Sequence, residues 1–207
     1  MKNVDTCLAI AGIVSPIVLA AATIITAWQR PEYSHLRNTL SELGMVGAPN
    51  AAWMNAAGII PAGILLMASS LAIYRALGKG SWSLAGSILL ALGGACLTAS
   101  AFSPWRGAPM DFTVLPNKLH FIFAIMGFAS ISMAPLFFSL HARGTVAFRD
   151  WYLPSLAAAI TVFILGFWPI QGNYRGVFQR ASLGIFYFWL SAICIWVLNQ
   201  RLRPISR

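Results

Sequence analysis

At 207 residues, 58% of them hydrophobic and only 9% charged, the chain has too few charges to cover a water-facing surface, for which a soluble domain carries about 25%. Its mean hydropathy of +0.73 points to lipid as the main solvent, and its length suits one domain over 1–207 with no sizeable soluble module beside it. The formal charge of +9 comes from basic residues scattered through short loops without a cluster, so the partners it suggests are membrane lipids and not nucleic acid.

A helix needs about 20 apolar residues to cross the hydrocarbon, and six stretches qualify, at roughly 7–28, 52–74, 82–103, 119–141, 151–170 and 181–200. The expected fold is therefore all-α: a polytopic bundle of about six transmembrane helices. Lys2 ahead of the first apolar run superficially resembles a signal peptide, but the run continues to Trp28 and reads as an uncleaved first helix. Trp28, Trp53, Trp82, Trp105, Trp151 and Trp168 fall at the proposed span ends, where indole prefers the headgroup level. Pro16, Pro61 and Pro135 lie inside spans, where neighbouring helices shelter the lost hydrogen bond. Ala11 with Ser15, and Gly58 with Ala62, have the four-residue spacing that lets helices approach closely.

The first loop, about residues 29–50, is the longest. Leu36, Leu40 and Leu43 recur at helical steps, so part of it is expected to form an amphipathic helix in the interface. Within it, Thr39-x-x-Glu42 fits a capping box. The alternative for Glu42 is a pairing with Arg37, Arg175 or Arg180, or service to a ligand, because an ionisable group at membrane depth is costly when alone. Asp111, Asn117 and His120 reach the same face before the fourth span, and Gln171, Asn173, Arg175, Gln179 and Arg180 before the sixth. A polar pocket near the outer leaflet is the expected construction.

Six spans put both termini on one face. That face carries eight basic residues (Lys2, Arg75, Lys79, Arg143, Arg149, Arg201, Arg203, Arg207) against six opposite (Arg30, Arg37, Arg106, Lys118, Arg175, Arg180). The bias places the termini in the cytoplasm of a cell bounded by an inner or plasma membrane.

Tyr33-Ser34, then Ser41-Glu42-Leu43-Gly44, then Ala48-Pro49-Asn50 leading into a small-residue span, resemble the signature of a prokaryotic six-span family catalogued as domain of unknown function 998. His120 and the Arg180 region are similar to its later polar positions. The resemblance would cover nearly the whole chain; it implies a six-helix fold and brings no established reaction.

Candidate roles therefore rest on the residues themselves. Ser41, His120 and Asp111 could act as nucleophile, base and orienting acid, with Glu42 as a further catalytic carboxylate, although no G-x-S-x-G elbow is present. His120 could equally be an interfacial histidine bonded to a loop carbonyl. Tyr33, Ser34, Arg37, Asn50, Arg175 and Arg180 are candidate ligand-binding groups, the arginines suiting phosphate or carboxylate. No metal or cofactor is expected: only His35 and His120 share the polar face, with Glu32, Glu42 and Asp111, and Cys7, Cys96 and Cys194 form no ligand spacing. Gly78-Lys79 does not end a phosphate loop, since Ile73 and Gly80 replace the required Gly and Ser/Thr. Binding or processing of a lipid or other amphiphile is the favoured reading, with catalysis left open. A non-catalytic assembly or sensor role is the alternative, followed by a small-solute transporter, against which the almost wholly apolar span centres count.

Overall fold

The computed structural model describes residues 2–78, 80–107, 111–167 and 173–202. Among these, six helices are long and apolar enough to cross a membrane: α1 (Lys2–Trp28), α2 (Ala51–Leu77), α3 (Ser81–Phe102), α4 (Leu115–Arg143), α5 (Tyr152–Phe167) and α6 (Arg175–Leu202). The chain is a multi-pass membrane protein. No strand is present among the described residues.

Short connections make consecutive helices neighbours, and each of α1 to α6 packs on the next, with α6 returning against α1 to close the ring. Helix α6 also touches α2, so its inner face carries the centre of the core: Phe186, Leu190, Ile193, Cys194 and Val197 are fully buried. The outer faces are apolar as well. Ile17, Ile24, Ile88, Leu153, Phe163 and Phe188 are exposed, an arrangement that water would penalise and hydrocarbon does not.

Several polar groups inside the spans are paired across helices. The Ser15 hydroxyl donates to the Ala62 carbonyl at 2.9 Å, joining α1 to α2 at two of the small-residue positions. Ser182 on α6 donates to Val162 O on α5 at 3.0 Å, and the Trp189 indole donates to Ser155 Oγ at 3.0 Å. At the terminal face, Arg75 and Asp5 form a 2.8 Å ion pair between α2 and α1. His141 sits at the same end, its Nε2 3.1 Å from Leu77 O.

Three expectations need correcting. The amphipathic helix in residues 29–50 is absent; the segment folds through turns, with one 3₁₀ turn, Leu40–Leu43. The Asn38 side chain accepts from Ser34 N and donates to Glu42, and the Thr39 hydroxyl donates to Glu42, local bonds that compete with a helical ladder. Leu40 and Leu43 still point inward, while Leu36 is exposed. Helix α6 begins at Arg175, six residues before the expected start, so Arg175, Gln179 and Arg180 are helical residues and not loop residues. Trp28, Trp53 and Trp82 are exposed at span ends, but Trp105 is buried inside the loop between α3 and α4. Helix α5 ends at Phe167; Trp168 and Gln171, together with Lys79, Arg203 and Arg207, lie outside the described residues.

Candidate functional site

The polar end of the bundle is built by docking the first loop onto the start of α6. A helix leaves its first backbone N–H groups without partners, and here loop carbonyls approach that end. Val177 N donates to Leu36 O at 3.1 Å, and the Arg175 side chain donates through Nε to Arg37 O at 3.2 Å. Gly176 makes the approach possible: a Cβ there would lie 2.7 Å from His35 O and collide with Asn38 O. Gln179 Oε1, one turn on, accepts the Leu40 N–H at 2.7 Å.

Arg180 is the main fastener. Its Nη1 donates to His35 O at 2.9 Å, Asn38 O at 2.8 Å and Gly176 O at 3.0 Å, and its Nη2 bonds the Tyr33 hydroxyl. The guanidinium also lies 5.5 Å from the Tyr33 ring centroid, a geometry that favours attraction to the ring face. Burial raises the Tyr33 pKa despite the opposing charge of Arg180, so the phenol keeps its proton and donates it to Thr39 O at 2.9 Å. Desolvation, and then the Arg180 charge, lower the pKa of His35; both effects favour the neutral ring.

Glu42 occupies the middle of this network. Its Oε1 accepts from Thr39 N at 2.9 Å and Thr39 Oγ1 at 3.0 Å, and lies 3.1 Å from Arg175 Nη2. Oε2 accepts from Asn38 Nδ2 at 2.6 Å. The two readings of this residue therefore coexist: the carboxylate reaches back to the Thr39 N–H as in a capping box and also pairs with an arginine of the last loop-facing helix. Both carboxylate oxygens are engaged within the protein, which makes Glu42 a centre of the loop network. Gly44 completes the Ser41-Glu42-Leu43-Gly44 stretch. Its carbonyl accepts from Asn55 Nδ2 at 3.0 Å, and a Cβ at this position would strike the Asn55 amide.

Behind the loop lies a cavity of about 610 Å³ between α4, α5 and the start of α6. Thr39, Ser41, His120, Arg175 and Gln179 supply its polar lining, and Phe112, Phe121, Phe128, Leu165 and Phe178 its apolar walls. A narrower apolar chamber of about 70 Å³ continues toward the bundle centre, lined by Leu66, Gly93, Cys96 and Gly127, among others. Ser41, Ala124, Phe128 and Gln179 line both, so Ser41 stands where the two adjoin.

His120 is held by backbone. Its Nδ1 lies 3.2 Å from Ser100 O and 3.0 Å from Ser103 O. Carbonyls only accept, so Nδ1 carries the hydrogen, and in the neutral ring Nε2 is the basic nitrogen. Among the described residues neither His120 Nε2 nor the Ser41 hydroxyl has a hydrogen-bond partner. The indole N–H of Trp105, which lines the same cavity and is 7% exposed, is likewise unpartnered there.

The structure does not bring Asp111 to His120. The Asp111 carboxylate closes its own turn, accepting from Thr113 N and Thr113 Oγ1 at 2.7 Å each, bonds that lower its pKa. Asn117 spans the same loop, bonding Arg106 N at 2.7 Å, Arg106 O at 3.0 Å and Asp111 O at 2.8 Å. Among the proposed ligand groups, Arg175 reaches the cavity and Arg180 lines a separate groove between α1 and α6. Tyr33 and Ser34 belong to the loop scaffold, Arg37 supplies its carbonyl, and Asn50 precedes α2 without a side-chain capping bond, its amide donating to the exposed Gln29. Trp105 is a lining residue that sequence reasoning did not select as a site candidate, and Gln179 is one it gave to the pocket without a role. Arg175 and Gln179 share a helix face four residues apart, a signal that becomes visible once α6 is known to start at Arg175. No group of three or more His, Cys, Asp or Glu suited to a metal occurs among the described residues.

Residues 13–196 match the family described as "Protein of unknown function (DUF998)". No curated protein and no solved structure matches the chain.

Proposed function

The chain belongs to the DUF998 family, and we propose that it binds an amphiphile with an anionic headgroup in the cavity between α4, α5 and α6. The observation that carries this reading is the mixed lining of that cavity, with Arg175, His120, Ser41 and Gln179 among aromatic and aliphatic walls, and an apolar chamber that shares four of its lining residues. Ligand sites of this kind are largely apolar, with a few placed polar groups that fix orientation. Arg175 is 41% exposed at the side chain, and Glu42 engages one of its nitrogens at 3.1 Å, so the guanidinium keeps donors for a phosphate or carboxylate.

Two measurements test the reading. Mass spectrometry of the purified protein should show an anionic amphiphile retained by the native chain and reduced at least several-fold by Arg175→Ala. Equal retention by the variant would count against the headgroup assignment. In this reading the loop face is the outer one, following the eight-to-six basic count. A reporter active only in the cytoplasm should give signal when fused to the C-terminus and none when placed directly after Pro49; the reverse pattern would turn the cavity inward.

A further inference from the structure

We propose that Ser41 and His120, which line one cavity without a hydrogen bond between them, act as nucleophile and base on an ester or related acyl carbonyl of the amphiphile, an inference that rests on the binding reading above. Ser41, His120 and Trp105 line one cavity, and among the described residues no hydrogen bond reaches the Ser41 hydroxyl, His120 Nε2 or the Trp105 indole N–H. Of the three, the Trp105 N–H is buried, and a buried donor without a partner is uncommon and calls for an explanation. Each has the chemistry that acyl transfer requires.

The position of Ser41 selects the bond. It lines both the polar cavity and the inner apolar chamber, which is where the junction between headgroup and tail falls when the headgroup meets Arg175 and the tail enters the chamber. His120 is oriented by the carbonyls of Ser100 and Ser103, at 3.2 and 3.0 Å, and needs no carboxylate to set its tautomer. The same function is served by a buried aspartate in the familiar triad, whose main task is to hold the ring.

In the reaction, Ser41 Oγ adds to the carbonyl carbon while its proton passes to His120 Nε2. The carbonyl electron pair moves to oxygen, which the Trp105 N–H can receive as a hydrogen-bond donor. Collapse breaks the bond to the alcohol headgroup, which leaves with the proton from His120. Water then adds to the acyl-serine with His120 again as base, releasing the fatty acid and restoring Ser41.

The experiment uses the full-length protein in detergent and an alkyl fluorophosphonate, in which Ser41 Oγ forms a bond to phosphorus and fluoride leaves. Intact mass should rise by one phosphonyl group, and peptide mapping should place it on Ser41. Ser41→Ala should abolish the adduct. His120→Gln, whose amide can still donate to the Ser100 and Ser103 carbonyls, should slow labelling by about 100-fold or more. Trp105→Phe, which keeps the ring and removes only the N–H, should slow it by about 10–100-fold. No adduct on Ser41 from protein that still retains its amphiphile overturns the catalytic inference and leaves the binding reading standing. Labelling at Ser41 that neither His120→Gln nor Trp105→Phe slows also overturns it. Labelling with the expected His120 and Trp105 dependence, from protein that retains no amphiphile, supports the reactive pair and overturns the binding reading.

Discussion

Glu42→Gln should lower the melting temperature in detergent by about 4–12 °C. The wild-type carboxylate is 6% exposed at the residue level and accepts from Asn38, from both donors of Thr39 and from Arg175. An amide cannot replace it: one of its two ends becomes a donor, and that end meets the Asn38 or the Arg175 donor. Hydrogen bonds to charged groups contribute about 1.5–3 kcal/mol each, whereas breaking a fully buried ion pair costs about 3–5 kcal/mol. Arg175 is 41% exposed and can be rehydrated, so the lower range applies, and the expected loss is about 2–3 kcal/mol. For a chain of this size each kcal/mol moves the midpoint by about 2–4 °C. Combining Glu42→Gln with Arg175→Gln should be less than additive, since both remove the same interaction. A change below about 0.5 kcal/mol would mark Glu42 as an ordinary surface residue and remove the centre of the loop network.

Arg180→Ala should have the larger effect on the loop itself. It withdraws donors from His35 O, Asn38 O and the Tyr33 hydroxyl together. The two loop carbonyls alone correspond to about 3–6 kcal/mol of charge-assisted bonding, and the ring contact with Tyr33 is lost as well. The segment 29–50 should then lift from α6, and trypsin should cut at Arg37 at least about ten times faster than in wild type, because local opening exposes backbone that the native loop protects. Arg180→Lys should restore only part of the protection. An ammonium cannot span two carbonyls and a phenol while lying flat over the ring. Unchanged proteolysis in Arg180→Ala would mean that the loop is held by something other than this fastener.

The six spans were legible because the bilayer imposes a length and an apolar composition that no local packing detail can override. Legible too was the need of Glu42 for a partner, since a carboxylate near hydrocarbon is costly whatever its neighbours. Which arginine answers it was not. Arg37, Arg175 and Arg180 are equally basic in sequence, and only the early start of α6 aims Arg175 at the carboxylate while Arg180 turns to the loop carbonyls. The leucine spacing in the first loop suggested a helix because Leu40 and Leu43 do share a buried side. Two inward leucines fix a face, however, and not a hydrogen-bond pattern; the Asn38, Thr39 and Glu42 side chains decided the latter. Asp111 and His120 are near in sequence and on one face, yet Thr113 satisfies the aspartate within its own turn. Local side-chain to backbone bonds of this kind form at almost no entropic cost, and they outcompete a distant partner that spacing alone would allow.

Ala124 lines both the cavity between α4, α5 and α6, where the amphiphile is proposed to bind, and the inner chamber, so Ala124→Phe fills space in both and leaves Arg175, Glu42 and Arg180 in place. The most direct test is the mass spectrum of lipids retained by this variant beside wild type, from preparations with matched melting temperatures. The bound amphiphile should fall at least several-fold in Ala124→Phe; retention of the same amphiphile at the same stoichiometry would contradict binding in this cavity.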